Sequence, residues 1–234
     1  MLPDRLGLGL QAGAACGWIL LMRTPEQCHF YGILDTGYCA PEQMGAMLEK
    51  MLAGGVDIVQ LRAKGLSPDR ITELARALHP LSKAARVPLM VNDYPAIAGE
   101  TGVEGAHVGV EDMSVAEARR LAGRTCWIGK SSHSVAQAMA GAAQGADYLG
   151  FGPLFATPTK PDYAPIGTRE IHEVYAKVRI PVFCIGGIKL ENLPSVLQAG
   201  AQRVVMVSGL LLAEDPVGYA GRCRGLLQGD GISG

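Results

Sequence analysis

Short apolar runs alternate with amphipathic stretches from Phe30 to the end of the chain, and this alternation restricts the fold more than any other feature. Each apolar run has the length of a strand, and the runs lie at 31–35, 56–62, 88–92, 105–109, 126–129, 147–152, 181–187 and 203–209. The amphipathic stretches predict helices at 41–55, 67–85, 94–101, 114–122, 134–144, 168–177, 190–199 and 215–227. Apolar strands that are each followed by a helix are typical of a parallel sheet with a covered outer face. Eight such units predict a single (β/α)8 TIM barrel with parallel strands, and a doubly wound open sheet is the alternative.

The length of the chain fits this fold, because 234 residues can form one barrel with a large core. We predict an N-terminal extension at 1–28 and a catalytic barrel at 29–234. The apolar run at 6–22, which follows Arg5, superficially resembles a signal peptide. It lacks a small-residue cleavage site and is short for a membrane span, which needs about 20 apolar residues. We therefore expect an added tail, or a true start at Met22.

Charge and cysteine content restrict the partners. The net charge is −1 and 18% of the residues are charged, so the chain lacks the broad basic surface that nucleic acid or anionic lipid would select. We expect no nucleic-acid or membrane partner, and assembly with copies of the same chain stays open. The cysteines show neither CxxC nor metal-ligand spacing, so we expect reduced thiols in a cytoplasmic protein. They lie at positions 16, 28, 39, 126, 184 and 223.

Five strand-to-helix turns end in side chains that suit phosphate oxygens or a magnesium ion. They are QLRAK (60–64), VND (91–93), HVGVED (107–112), GKSSH (129–133) and GPLFATPTK (152–160). In a parallel barrel all five turns lie on the carboxyl-end rim, where such barrels carry out chemistry. This convergence predicts a phosphorylated substrate.

The first turn brings two cations and one amide together. Gln60, Arg62 and Lys64 alternate along the chain, and alternation in a strand places all three side chains on the same side, toward the barrel mouth. The alternative is an ordinary pair of surface cations. We favour a binding role because the cations directly follow a buried apolar run.

The last of these turns predicts a phosphate clamp. Thr157, Thr159 and Lys160 present two hydroxyls and an ammonium on a loop that two prolines stiffen. A preshaped loop loses less entropy when it binds a ligand. Ser131 adds a hydroxyl from the neighbouring turn. A solvated, proline-rich surface loop is the alternative.

Carboxylates at two neighbouring strand ends predict a metal site. Asp93 and Asp112 follow the third and fourth strands, and together they could hold Mg²⁺, which keeps several waters and binds substrate phosphate. Asn92 lies beside the first of them and could donate a hydrogen bond to the ligand. Either aspartate could instead serve only as a helix N-cap.

Glycine-rich ends of the last two strands predict a second phosphate site, formed by backbone N–H groups. Gly186-Gly187 follows the seventh strand and Val207-Ser208-Gly209 follows the eighth. Barrels often bind phosphate at this place, and glycine lets the backbone approach an oxyanion closely.

The two histidines in the polar turns do not predict a catalytic triad. Neither His107 nor His133 has a Ser, Cys or Asp partner at a recognisable spacing, so packing or capping roles are favoured. A reaction driven by departure of a magnesium-bound diphosphate needs charge stabilisation and positioning instead of a strong general base.

Taken together, the motifs QLRxK, ND, HxGxxD, GxSxH, TxTK and IGGI resemble the thiamine phosphate synthase family from Phe30 to about Ser208. The resemblance implies a barrel enzyme, a transferase that joins 4-amino-2-methyl-5-(diphosphooxymethyl)pyrimidine to 4-methyl-5-(2-phosphooxyethyl)thiazole. The products would be thiamine phosphate and diphosphate, and Mg²⁺ would be the cofactor. The implied mechanism is dissociative: diphosphate leaves, the aminopyrimidine stabilises a methylene cation, and the thiazole nitrogen captures it.

The resemblance also implies roles for individual residues. Catalytic roles fall on Arg62, Lys64, Ser131 and Lys160, which with Gln60 and Asn92 would contact the pyrimidine diphosphate. Asp93 and Asp112 would be the metal ligands, and the thiazole phosphate would be held by Thr157, Thr159, Gly187, Val207 and Ser208.

One position departs from the family pattern, which usually reads HxGQxD, because Val110 stands where the glutamine is expected. A thiazole tautomerase-like paralogue is the second interpretation, since that related protein shares the barrel but generally lacks the full diphosphate and metal set. A non-catalytic regulator that binds thiamine phosphate is the third.

Overall fold

A computed structural model describes residues 22–157 and 164–229. Its eight strands form one closed barrel in chain order, and every neighbouring pair is parallel. The prediction of a single parallel barrel is confirmed, and the open sheet is wrong. The strands are β1 (Phe30–Asp35), β2 (Ile58–Arg62), β3 (Leu89–Asn92), β4 (Gly105–Val108), β5 (Trp127–Ser132), β6 (Tyr148–Phe151), β7 (Val182–Cys184) and β8 (Val204–Met206).

Helices cover the outside of the barrel. They are α1 (Met44–Ala53), α2 (Pro68–Ala84), α3 (Pro95–Thr101), α4 (Val115–Ala122), α5 (Val135–Ala143), α6 (Ile171–Lys177), α7 (Leu193–Gln198), α8 (Ser208–Leu211) and α9 (Pro216–Gln228). Local chemistry sets their starts: the Ser67 hydroxyl accepts from the Arg70 N–H, and Pro68 takes the first position of α2. Short 3₁₀ turns precede β1 and α1. No helix in the described part of the chain is long and apolar enough to span a bilayer.

Side chains inside the barrel form a second, smaller core below the carboxyl-end mouth. The rings of Tyr31, Tyr148 and Phe183 pack against one another there, with Phe183 edge-on to both tyrosines at centroid distances of 5.4 and 5.6 Å. Edge-to-face contacts of this kind are favourable aromatic geometries. These rings close the interior and form the floor of the space above them.

A buried carboxylate closes the opposite, amino-terminal end. Asp57 accepts hydrogen bonds from the backbone N–H groups of His29 and Phe30 at 3.0 and 3.1 Å, and from Arg224 Nη1 of α9 at 2.6 Å. Of the predicted extension at 1–28, residues 1–21 lie outside the described part of the chain. Residues 22–28 pack at this closed end, where Cys28 is fully buried.

β5 is longer than predicted. The apolar pattern ended this strand at Gly129, but the strand continues to Ser132. The extension pairs with β6, Lys130 opposite Leu149 and Ser132 opposite Phe151, so polar residues continue the strand where the apolar pattern stops. As a result Ser131 faces the barrel interior beside His107, while Lys130 points toward α5 in the helix layer.

Candidate active site

One pocket opens at the carboxyl ends of the strands, above the aromatic floor. It contains every residue with an individually predicted role that lies in the described part of the chain. These are Gln60, Arg62, Lys64, Asn92, Asp93, Asp112, Ser131, Thr157, Gly187, Val207 and Ser208. Thr159 and Lys160 lie outside the described residues. The structure therefore brings the candidates together, and their individual roles stay predictions.

β2 supplies polar side chains at three depths of this pocket. Gln60 is buried deep inside, where its Nε2 donates to the Tyr31 hydroxyl at 2.9 Å. Arg62 lies above it with a side chain that is 16% exposed, and Lys64 reaches the rim with a side chain that is 58% exposed. The predicted alternation thus spreads one amide and two cations from the floor to the mouth.

Asp35 holds Arg62 in place. The sequence did not predict a role for Asp35. The two residues are opposite each other in the β1–β2 register, and Arg62 Nη1 lies 2.5 Å from Asp35 Oδ2. The other carboxylate oxygen accepts from the Gly37 N–H at 2.8 Å. A carboxylate that is 1% exposed and bound on both oxygens gives the guanidinium a fixed orientation. The available signal was an aspartate at the end of an apolar run, one strand away from the arginine.

Asp93 forms an ion pair with Lys64 at the rim. Its backbone is in the left-handed region, with φ of 64°, and its N–H donates to the His107 carbonyl at 2.9 Å. Aspartate tolerates this conformation better than most residues because its short polar side chain can bond locally. The turn therefore aims the carboxylate at the mouth, with Asn92 beside it.

Asp112 lies on the loop that follows β4, where its Oδ2 accepts from the Gly109 N–H at 2.6 Å. Both predicted metal ligands line the same pocket. Within the ranges that the structure describes, no cluster of three or more His, Cys, Asp or Glu residues could hold a metal by itself. Two carboxylates suit Mg²⁺, which commonly takes one or two protein ligands and completes its shell with water and substrate phosphate.

His107 has a serine partner in space, although no such partner stands at a recognisable spacing in the sequence. Its Nε2 lies 3.0 Å from the Ser131 hydroxyl, and its Nδ1 lies 3.2 Å from the Tyr148 hydroxyl. The contact arises because His107 is opposite Gly129 in the β4–β5 register, and Ser131 is the next residue on the same face. Spacing along the chain carried no sign of this pairing. His133 bonds through Nδ1 to the Gly152 carbonyl and joins β5 to the loop after β6.

The hydroxyl chain continues across the pocket floor. The hydroxyls of Tyr148 and Tyr31 are 3.0 Å apart, and Gln60 donates to the second of them. Burial raises the pKa of both tyrosines, so both phenols are neutral at physiological pH. The floor therefore offers uncharged donors and acceptors next to aromatic surface, which suits a flat, polar ring.

Main-chain groups form the opposite wall. Gly186 and Gly187 have φ of 99° and 63°, a region that glycine adopts without strain. A Cβ at Gly187 would lie 2.7 Å from the Phe155 Cβ, so the loop packs closely against this glycine. Val207 and Ser208 lie at the end of β8, and Thr157 belongs to the loop after β6. This wall has the backbone groups and hydroxyls expected of the second phosphate site.

A closed parallel barrel with cations, carboxylates and hydroxyls at its carboxyl end defines the class of (β/α)8 barrel enzymes. The family model described as thiamine monophosphate synthase matches residues 30–210. The chain belongs to this thiamine monophosphate synthase family.

Curated relatives of the chain are named as thiamine-phosphate synthases. The chain is 38% identical over 203 residues to the thiamine-phosphate synthase of Halalkalibacterium halodurans, a match that covers 86% of this chain and 96% of the relative. It is 40% identical over 198 residues to the thiamine-phosphate synthase of Chloroflexus aurantiacus, with coverage of 84% and 91%.

Solved structures agree with the fold. The thiamine phosphate pyrophosphorylase of Pyrococcus furiosus is 28% identical and superposes with a TM-score of 0.79, covering 88% of this chain and 98% of that chain. A 3-hexulose-6-phosphate synthase is 19% identical with a TM-score of 0.64, covering 84% of this chain and 98% of that one, and shows the barrel fold alone.

Proposed function

We propose that this chain condenses 4-amino-2-methyl-5-(diphosphooxymethyl)pyrimidine with 4-methyl-5-(2-phosphooxyethyl)thiazole to give thiamine phosphate and diphosphate. The observation that carries the proposal is the single pocket in which Arg62, Lys64, Asp93 and Asp112 meet the glycine wall. Cations and carboxylates on one side suit a metal-bound diphosphate, and backbone groups on the other suit a single phosphate.

The diphosphate side of the pocket would bind the pyrimidine substrate. Arg62 and Lys64 would contact the diphosphate, and Lys160 is assigned to the same group. Ser131 and Asn92 would donate hydrogen bonds, and Gln60 would contact the ring from below. Asp93 and Asp112 would hold Mg²⁺, which when bound neutralises charge on the diphosphate and makes it a better leaving group.

The side chains of the pocket would contribute to catalysis by holding charges and hydroxyls in place around the substrates. Arg62 is fixed by Asp35 before substrate arrives, so its guanidinium needs little reorganisation as negative charge develops on the leaving group. The aromatic floor would exclude water from the methylene cation until the thiazole nitrogen attacks. The hydroxyl of Ser131 is oriented by its contact with His107 Nε2. The other ring nitrogen of His107 contacts the Tyr148 hydroxyl on the pocket floor.

The glycine wall would bind the phosphate of the thiazole. Gly187, Val207 and Ser208 would offer backbone N–H groups, while Thr157 and Thr159 would add hydroxyls. This phosphate does not take part in the reaction, so its binding energy would serve to align the ring nitrogen with the pyrimidine carbon.

Turnover with both substrates tests the proposal. Purified protein with Mg²⁺ should release thiamine phosphate and diphosphate in equal amounts, as measured by chromatography. Arg62→Met should abolish most turnover, whereas Lys177→Met, which removes an exposed cation paired with Glu173 on α6, should leave it unchanged. A folded protein without turnover would refute the synthase. In that case, failure to bind the pyrimidine diphosphate in calorimetry would favour the tautomerase-like alternative.

We also propose that the reaction takes place in the cytoplasm. The five cysteines in the described ranges are all buried and unpaired: Cys28, Cys39, Cys126, Cys184 and Cys223. Free thiols of this kind fit a reducing compartment.

A further inference from the structure

Lys130 is a buried cation outside the pocket, and no role described so far uses it. Its side chain leaves β5 on the outer face and is only 8% exposed. Its aliphatic stem passes α5 at Gly141, where a built Cβ would lie 3.6 Å from the Lys130 Cγ. A glycine at this point of α5 leaves room for the stem to run upward between strand and helix.

The ammonium of Lys130 binds one loop through three backbone carbonyls. Nζ donates to Gly109 at 2.6 Å, to Met113 at 2.8 Å and to Val110 at 3.2 Å. An ammonium has three N–H donors, and all three have an acceptor here. The acceptors all belong to the turn that joins β4 to α4. Because a buried charge without partners is strongly unfavourable, the turn and the lysine fix each other.

The same turn carries the predicted metal ligand. Both backbone polar groups of Gly109 are hydrogen-bonded: its carbonyl accepts from Lys130, and its N–H donates to Asp112 Oδ2 at 2.6 Å. Val110, which departs from the family pattern, also accepts from Lys130 through its carbonyl. Burial lowers the pKa of Lys130, and the negative charge of Asp112 acts in the opposite direction.

We propose that Lys130 is a positioning residue for the metal site: it holds the Gly109–Met113 turn so that the Asp112 carboxylate faces the pocket. The inference rests on the proposed function, in which Asp112 holds Mg²⁺. Lys130 itself faces the helix layer and does not line the pocket. Groups that orient a metal ligand from behind commonly change metal affinity by about 10- to 100-fold when they are removed.

Lys130→Met tests this inference, because it keeps an unbranched apolar stem and removes the ammonium. The Mg²⁺ concentration that gives half-maximal turnover should rise about 10-fold or more. Binding of Mn²⁺ to the free protein, followed by electron paramagnetic resonance, should weaken by a similar factor. The KM for the thiazole phosphate should stay unchanged, since the turn is on the other side of the pocket.

Arg224→Met provides the matched control. It removes a cation that also binds a backbone carbonyl, that of Gly55, but at the closed end of the barrel. Both variants should lose stability in urea, and the metal requirement should change in Lys130→Met alone. Equal metal requirements in the two variants would overturn the inference and leave Lys130 with a purely structural role.

Two further comparisons keep the test decisive. If Lys130→Met does not fold, Lys130→Gln replaces it, since its shorter, uncharged side chain has two N–H donors and cannot bind all three carbonyls. An unchanged Mn²⁺ affinity there would refute the inference. If the wild-type protein shows no turnover, the proposed function fails, whereas an active wild type with Lys130 variants of normal metal affinity refutes the positioning role alone.

Discussion

Replacement of Asp35 by asparagine isolates the contribution of a fixed Arg62. The substitution keeps the shape of the side chain and removes its charge. One carboxylate oxygen now accepts from Arg62 and the other from the Gly37 N–H, so the new NH₂ group must face a donor at one of the two positions. Either the guanidinium or the turn after β1 then loses its partner.

The burial of Asp35 and Arg62 sets how much Asp35→Asn should lower the free energy of unfolding. Removal of one member of a buried ion pair costs about 3–5 kcal/mol, and loss of a hydrogen bond to a charged group costs about 1.5–3 kcal/mol. Because the Arg62 side chain keeps 16% exposure, water can solvate part of its charge, and we expect a loss of about 2–3 kcal/mol in the free energy of unfolding. If about 2 kcal/mol of that also stabilises the transition state, kcat/KM for the pyrimidine diphosphate falls about 30-fold.

Asp57→Asn is the control for this experiment. Asp57 is also buried and also binds an arginine and backbone N–H groups, but it does so at the closed end of the barrel. Urea denaturation should show similar destabilisation of both variants, while steady-state kinetics should show the 30-fold loss for Asp35→Asn alone. A drop in kcat/KM no larger for Asp35→Asn than for Asp57→Asn would refute the idea that Asp35 orients Arg62 for catalysis.

Three further predictions concern the metal, the glycine wall and alkaline pH. Asp93→Asn and Asp112→Asn should each raise the Mg²⁺ concentration for half-maximal turnover, and excess EDTA should abolish turnover of the wild type. Gly187→Ala should destabilise the fold by at least about 1–2 kcal/mol, because alanine resists the left-handed backbone and its Cβ would lie 2.7 Å from the Phe155 Cβ. It should also raise the KM for the thiazole phosphate several-fold. Burial raises the pKa of Cys28 and Cys223 from 9.0 to about 12. Above pH 9 the unfolded chain loses these protons while the folded chain keeps them, so the free energy of unfolding should fall by up to about 1.4 kcal/mol per pH unit for each thiol.

A different outcome would contradict each of these three predictions. Metal dependence that is identical in the aspartate variants and the wild type would remove both carboxylates from the site. A raised KM for the pyrimidine diphosphate in Gly187→Ala, with the thiazole unaffected, would reverse the assignment of the two phosphates. Urea denaturation curves that coincide from pH 8 to pH 10.5 would contradict the thiol pKa values.

The barrel could be predicted from the sequence because its strands are short, apolar and each followed by an amphipathic helix. That pattern is local and repeats eight times. It failed where polar residues continue a strand: β5 extends through Lys130 to Ser132, and cross-strand pairing sustains this segment although its apolar pattern has ended. α8 was missed because four residues are too few to show helical periodicity.

The rim residues could be placed in one pocket because the ends of parallel strands share one edge. The contacts that orient them could not be predicted in the same way. Asp35 meets Arg62, and His107 meets Ser131, through the register of neighbouring strands. Register is set by the closed barrel as a whole, so residues 27 and 24 positions apart come into contact without any local signal.

The carboxylate at the closed end has a consequence for how this protein can be handled. Arg23 and Arg224 both reach Asp57, so the first and last parts of the described chain meet behind the barrel, on the face away from the pocket. A tether to a solid support, or a fused fluorescent protein, attached near either part would leave substrate entry unobstructed. The same proximity makes the chain a good subject for circular permutation, with a short linker between these parts and new termini opened in a surface loop.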